Sequence, residues 1–216
     1  KRIICIHSLS ETALPINKFR KYISSMLQLG YKFTSIEDIL DNTKNGKYLH
    51  ITVDDGYKTC ITNLLPILEE YDIKATFFIA PFLLGLPANH QLLVNNNCYP
   101  NEETMTTEDI QLLNKLGHNI GFHTGEHLNL SITDNDIIKQ DFIKGLEFLS
   151  SLGISTDSFA YPFGFLPKDK IFFEDILSQS NINHAFTVKW GDVNTDDKYY
   201  INRVCLGDKE PLLWSV

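Results

Sequence analysis

The chain has no concentration of positive charge. Its 19 Lys and Arg residues are outnumbered by 27 Asp and Glu, giving a formal net charge of −8, and they nowhere form a run. Binding phosphates requires clustered cations, so nucleic acid and anionic membrane surfaces are excluded as partners. No stretch is long and apolar enough to span a bilayer. The opening, Lys1-Arg2-Ile3-Ile4-Cys5-Ile6-His7, is too short for a secretory signal. The chain as given therefore reads as cytoplasmic, or as exported or cell-envelope protein if an upstream leader has been removed. Cysteine is sparse: Cys5, Cys60, Cys98 and Cys205 lie far apart with no C-x-x-C pair, so neither a thiolate zinc site nor a redox motif is indicated, and reduced, mostly buried thiols are expected. The absence of G-x-G-x-x-G and of G-x-x-x-x-G-K-S/T removes the usual dinucleotide and nucleotide readings. Internal repeats and low-complexity linkers are absent too, so residues 1–216 are expected to form a single domain.

What is present is an alternation of short β-rich runs with longer helical ones, the order of an α/β fold with largely parallel strands. Strands are expected at 3–7, 48–53, 75–80, 119–122, 157–161, 184–188 and 201–205, and helices at 15–29, 35–41, 57–71, 106–116, 134–152 and 168–180. Gly30, Gly117 and Gly153 follow helices as C′ residues, and Thr106 or Thr107 with Asp109 reads as an N-cap region. With the nucleotide folds removed, a distorted or incomplete (β/α) barrel is the expected architecture. Residues 81–105, with Pro81, Pro87, Pro100 and Asn95-Asn96-Asn97, read as a surface excursion rather than another layer.

In parallel α/β folds the reactive side chains gather where strands end. The polar residues at those points are His7, Asp54-Asp55, His123 to His127, and Tyr161-Pro162-Phe163-Gly164. Ile51-Thr52-Val53-Asp54-Asp55-Gly56 ends an apolar strand in adjacent carboxylates that repel when buried, and a bound cation would favour both ionised forms. The same tripeptide also suits a solvated turn. His123-Thr124-Gly125-Glu126-His127 would complete, with one carboxylate, a three-ligand catalytic metal site; alone, the spacing equally suits two exposed loop histidines. H-x-x-E-H is also the inverzincin pattern, which needs a helix. Gly125 and the strand-like Asn119-Ile120-Gly121-Phe122 place the pair on a loop instead, with Glu126 solvated or supporting.

These segments resemble the motifs of the polysaccharide deacetylases of the NodB-homology group, the fourth carbohydrate esterase family. Thr52-Val53-Asp54-Asp55-Gly56 resembles T-F-D-D-G, and His123 to His127 resembles H-S/T-x-x-H. Phe159-Ala160-Tyr161-Pro162-Phe163-Gly164 resembles the F-A-Y-P-Y-G form found in biofilm- and capsule-polysaccharide deacetylases. The strand end at His7, Gly30 to Ser35, Leu65 to Leu68 and Lys74 to Phe78 continue the likeness in family order over nearly the whole chain.

The resemblance implies a NodB-type barrel and a metal-dependent hydrolase removing N-acetyl groups from an amino-sugar polysaccharide or oligosaccharide. It implies Asp54 as general base, and Asp55, His123 and His127 as ligands of one divalent ion, zinc first, with nickel, cobalt or another as alternatives. The substrate and oxyanion segment would be Tyr161, Pro162, Phe163 and Gly164, with a backbone N–H near Phe163. Two departures stand out. Ala160 replaces the arginine that often opens the third motif, making Arg203 the candidate substitute, and the late L-x-H histidine is absent, making His7 the candidate general acid. Trp190, Tyr161 and Phe163 are candidates for a sugar-stacking wall or for core packing, whereas His50, His90, His118 and His184 read as structural or solvated. O-acetyl ester or non-sugar amide hydrolysis at the same site, and a non-catalytic glycan-binding role, are the competing readings.

Overall fold

The computed structural model describes residues 1–96 and 102–207. The alternation becomes eight parallel strands: β1 (Arg2–Ile6), β2 (Lys32–Phe33), β3 (Tyr48–Asp54), β4 (Ala75–Ile79), β5 (Asn119–Phe122), β6 (Ser158–Ala160), β7 (His184–Phe186) and β8 (Val204–Cys205). Their order is β7-β6-β5-β4-β3-β1-β8, with the two-residue β2 added beside β3. Parallel neighbours need long crossovers. Helices supply them: α1 (Ile16–Gln28), α2 (Ile36–Leu40), α3 (Leu65–Glu70), α4 (Gln91–Asn96), α5 (Thr107–Lys115), α6 (Asn135–Ser151) and α7 (Lys170–Gln179). No helix among the described residues is long and apolar enough to cross a membrane.

The sheet curls into an incomplete barrel, and the last described segment spans its gap. Ile201 bridges Phe186 of β7, while Val204 and Cys205 pair with Ile4 and Cys5 of β1. This shared duty is why the strand expected at 201–205 shortens to Val204–Cys205: Ile201 N–H donates to Ala185 O at 3.0 Å and Arg203 N–H to Lys189 O at 3.2 Å, both on the β7 side. The inner face is lined by Ile3, Phe78, Ala160, Phe186 and Ile201. The outer faces bury a larger apolar layer under the helices, including Phe122, Phe142, Phe159 and Phe173. Their rings meet edge-on or tilted at centroid distances of 4.8 to 6.2 Å, favoured geometries for aromatic pairs.

Local signals explain the element ends. Thr106 and Asp109 form a reciprocal capping box at α5, and Gly30, Gly117 and Gly153 all take left-handed φ after their helices, the C′ conformation that glycine adopts without strain. The single helix expected at 57–71 is instead a π turn at Cys60–Leu64 running into α3. Pro66 has no N–H to give to the preceding turn, so it sits in the first turn of α3, where no such bond is required, and the α pattern starts afresh there. The excursion at 81–105 is more ordered than its composition suggests. Its described part holds a short 3-10 turn at Pro81–Leu83 and α4, with Leu83 and Leu93 buried against Ala80 in a small cluster of their own. Residues 97–101, including Asn97, Cys98 and Pro100, lie outside the described residues.

Candidate active site

Because the strands run parallel, their C-terminal ends share one edge of the barrel, where side chains from several strands can converge. His7 follows β1, Asp54 ends β3 with Asp55 next, His123 follows β5, and Tyr161 follows β6. Together with His127, Phe163, Gly164 and Trp190 they line one cavity of about 520 Å³. The sequence-predicted residues are thus brought together, with the exception of Pro162, which is buried beneath the turn, and Arg203, which acts from below.

Arg203 precedes β8 and is completely buried. Its guanidinium crosses the barrel interior and forms a bidentate pair with Asp54, at 2.8 Å to Oδ1 and 2.7 Å to Oδ2. The fork is held on its other edges: Nε donates to Thr187 O at 2.9 Å and NH1 to Thr52 Oγ1 at 3.0 Å. The Phe78 ring lies 5.4 Å from its central carbon, within cation–π range. Burial alone would raise the Asp54 carboxyl, but the charge and hydrogen bonds of Arg203 outweigh it and leave the group below its ordinary value.

Asp55 meets the histidines instead. Its Oδ1 lies 3.2 Å from His123 Nε2 and 3.1 Å from His127 Nε2, with all three side chains buried. Burial pushes the Asp55 carboxyl up, and the two imidazoles more than reverse this, holding it well below the usual carboxylate range. His123 Nδ1 sits 2.7 Å from Ala160 O. A carbonyl only accepts, so Nδ1 carries the proton and a neutral His123 turns its Nε2 lone pair towards the Asp55 oxygen. Lone pair would face lone pair at 3.2 Å, and Asp55 Oδ1 has no hydrogen-bond donor among the described residues. A cation at the convergence of these three groups removes that conflict. A ligating histidine that donates its other N–H to a backbone carbonyl is the usual supporting arrangement of a metal site, so the donor set fits a divalent ion.

The loop between the histidines has a support that motif reading missed. Asp141 of α6 accepts from two consecutive backbone N–H groups, Gly125 at 2.6 Å and Glu126 at 2.9 Å. A Cβ on Gly125 would stand 2.7 Å from Asp141 Oδ2 and 2.5 Å from the Phe82 ring, so only glycine allows this approach. The sequence did carry a signal: Ile138, Asp141, Phe142, Gly145 and Leu149 form the buried face of α6, and a carboxylate in an apolar helical stripe requires a partner. Loop geometry also excludes the inverzincin arrangement, because His123 and His127 lie outside any helix and Glu126 is exposed.

Asp55, Thr124, His127 and Phe163 all adopt left-handed φ between 57° and 73°. Strained non-glycine backbone persists only where its surroundings over-determine it. Phe163 and Gly164 form a tight 3-10 turn in which Gly164 N–H donates to Tyr161 O at 2.9 Å and Phe165 N–H to Pro162 O at 3.1 Å. Val188 fills the space where a Gly164 Cβ would go, 2.0 Å away. The Phe163 ring lies 4.4 Å from that of His127, and Phe163 and Trp190 are both substantially exposed at the cavity. Tyr161 is instead a core residue that reaches the cavity, its OH donating to Tyr199 O at 3.0 Å. His50 and His118 are buried away from the cavity, where burial pushes each down to about 4.

The chain belongs to the polysaccharide deacetylase family, whose model matches residues 41–174. Among curated proteins it is similar to a peptidoglycan-N-acetylglucosamine deacetylase of Bacillus cereus, 30% identical over 105 residues, which are 48% of this chain and 40% of that protein. The chain thus matches well under half the length of that relative. Among solved structures it resembles IcaB from Ammonifex degensii, with a TM-score of 0.81 and 21% identity over 95% of this chain and 91% of that one. It also resembles the Streptococcus pyogenes deacetylase PplD in complex with acetate, with a TM-score of 0.76 and 20% identity over 96% and 92%. At these identities the structural likeness is one of fold.

Replacing Arg203 with Met leaves a buried carboxylate unpaired and is expected to cost about 3–5 kcal/mol at neutral pH. Because pairing lowers Asp54 below its ordinary value of 3.8, the wild-type advantage is present above that pH and disappears as acid protonates the folded carboxyl. Denaturant unfolding of both proteins from pH 7 down to 3 checks this; a pH-independent difference contradicts it. Asp141 has the opposite sign, since burial raises it to about 6 despite its two backbone donors. Its folded form holds a proton that the unfolded form releases, so wild-type stability falls between about pH 4 and 6. Asp141→Asn does not titrate, so its stability deficit relative to wild type is expected to narrow over that interval.

Proposed function

We propose that this chain is a metal-dependent deacetylase that removes N-acetyl groups from an amino-sugar polysaccharide or oligosaccharide. The observation that carries the reading is the division of two adjacent carboxylates between different partners: Asp54 held by Arg203, and Asp55 turned with His123 and His127 towards a single point. Asp55, His123 and His127 would hold the divalent ion, zinc being the first choice for this nitrogen and oxygen donor set. When bound, the ion supplies Lewis acidity, making a water more acidic and an acetyl carbonyl more electrophilic.

The chain's own groups would do the rest. Asp54 lines the cavity beside that point and is kept ionised and oriented by Arg203, so it takes the proton of the attacking water. The arginine lowers the basicity of Asp54 while fixing its position. The 162–164 turn uses the N–H groups of Gly164 and Phe165 internally, which makes the N–H of Phe163 the donor for the developing oxyanion. Such a donor typically contributes about 3–4 kcal/mol to transition-state stability. His7, across the same cavity, protonates the departing nitrogen. Phe163 and Trp190 offer exposed aromatic faces to a sugar ring. A purely glycan-binding role rested on the loss of both the motif arginine and the late histidine, and Arg203 beside Asp54 weighs against the first of these grounds.

Acetate release from chitooligosaccharides, with acetylated xylan as the ester control, tests this reading. The expected result is amide substrate turnover that Asp54→Asn abolishes and that His7→Ala lowers about 10²–10⁴-fold, the range of one general acid. Release from xylan alone makes the chain an esterase, and unchanged turnover in Asp54→Asn removes Asp54 from the mechanism.

A further inference from the structure

One pair of side chains on the cavity floor has no part in the proposed reaction. Cys5 and Cys205 are register partners in the neighbouring parallel strands β1 and β8. Paired strands run about 4.8 Å apart, inside the roughly 4.4–6.8 Å between Cα atoms that a disulfide spans. The neighbouring Cys205 thiol, together with burial, holds the Cys5 thiol well above its ordinary value. Cys205 is half-buried and lines the cavity, whereas Cys5 is fully buried behind it, its Sγ donating to Asp54 Oδ2 at 3.4 Å. One sulfur thus faces solvent through the cavity and the second stands directly behind it, the arrangement of an attacking and a resolving cysteine. The separation of the two residues in sequence hides this completely, because only β1–β8 pairing brings them together.

We propose that Cys5 and Cys205 form a reversible modification site, which a peroxide entering the cavity converts to an intrachain disulfide. The Cys205 sulfur attacks the peroxide, forming an S–O bond and breaking the O–O bond. The departing hydroxide takes up the thiol proton and leaves as water. The Cys5 sulfur then attacks the resulting sulfenic acid, forming the S–S bond and breaking the S–O bond, and a second water leaves with the Cys5 proton. Two thiols are oxidised by two electrons in all, and one peroxide is reduced to two waters. Closing the bond removes the S–H that Asp54 Oδ2 accepts and leaves Arg203 as the donor to that oxygen. The inference does not depend on the deacetylase reading. Cys60, buried and donating to His7 O at 3.1 Å, serves as an internal control.

The test is to expose the folded chain of residues 1–216 to hydrogen peroxide, alkylate remaining thiols in denaturant, and map the peptides without reduction. The expected product has lost two hydrogens and joins the Cys5 and Cys205 peptides, with Cys60 and Cys98 recovered alkylated. Dithiothreitol restores both thiols. Cys205→Ser abolishes the cross-link and leaves Cys5 alkylatable, and in Cys5→Ser the oxidised Cys205 is trapped by dimedone. The proposal is overturned if Cys205 passes to sulfinic acid while Cys5 stays reduced, if both thiols survive while Cys60 is oxidised, or if the recovered cross-link involves Cys98.

Discussion

Two carboxylates adjacent in sequence cannot both stay ionised in a buried pocket unless each has its own positive partner. That constraint organises this protein. Asp54 is 2% exposed and Asp55 8%, and the fold gives them different solutions. The left-handed turn at Asp55 and Gly56 points the two side chains apart, so that Arg203 serves one while the other meets His123 and His127 at a point where a cation would serve all three. The barrel geometry follows from the same need. Arg203 can reach Asp54 because the closing segment bridges β7 before it pairs with β1, which places the guanidinium inside the curl rather than on its rim.

This arrangement converts a sequence departure into an equivalent contact. Where the resemblance leads one to expect an arginine at the end of β6, Ala160 packs into the inner apolar cluster with Phe78 and Phe186, and the charge arrives from the opposite direction. A buried ion pair is weak support for stability in itself, because both groups lose their hydration. Its value here is positional: four hydrogen bonds from one guanidinium, two of them to Asp54, fix that carboxylate in one orientation at the cavity. The strained residues tell the same story. The left-handed Asp55, Thr124, His127 and Phe163 lie on three separate loops around one cavity, and they are held by contacts such as Asp141 to the 125–126 backbone and Val188 against Gly164.

Much of this was legible in the sequence. Alternating periodicity placed β1, β3, β4, β5, β6 and β7 within a few residues, and the residue types at their ends marked Asp54, Asp55, His123, His127 and His7 as companions. A parallel sheet collects its strand ends at one edge without needing any long-range detail, but each segment alone also suited a turn or an exposed loop, and the family resemblance was what joined them. What was obscure depended on tertiary contact. Arg203 showed itself only as the candidate substitute for the arginine missing from the third motif, and its partner lies 149 positions away. Asp141 was visible as a carboxylate on the apolar face of α6, but its donors are backbone N–H groups that carry no sequence signature. The π turn before α3 was missed because the helix at 57–71 was read straight through Pro66, and the small cluster around Leu83 and Leu93 because the Asn- and Pro-rich composition was read as a local signal alone.

In the proposed function the two aspartates have separate duties, one towards a metal ion and one towards a proton. Titrating the apoprotein with zinc and counting bound ions separates these duties. One ion per chain is expected in the wild type, with its loss in Asp55→Ala and its retention with little change in affinity in Asp54→Asn. Loss of the ion in Asp54→Asn with retention in Asp55→Ala would contradict the assignment, and so would a wild type that binds none.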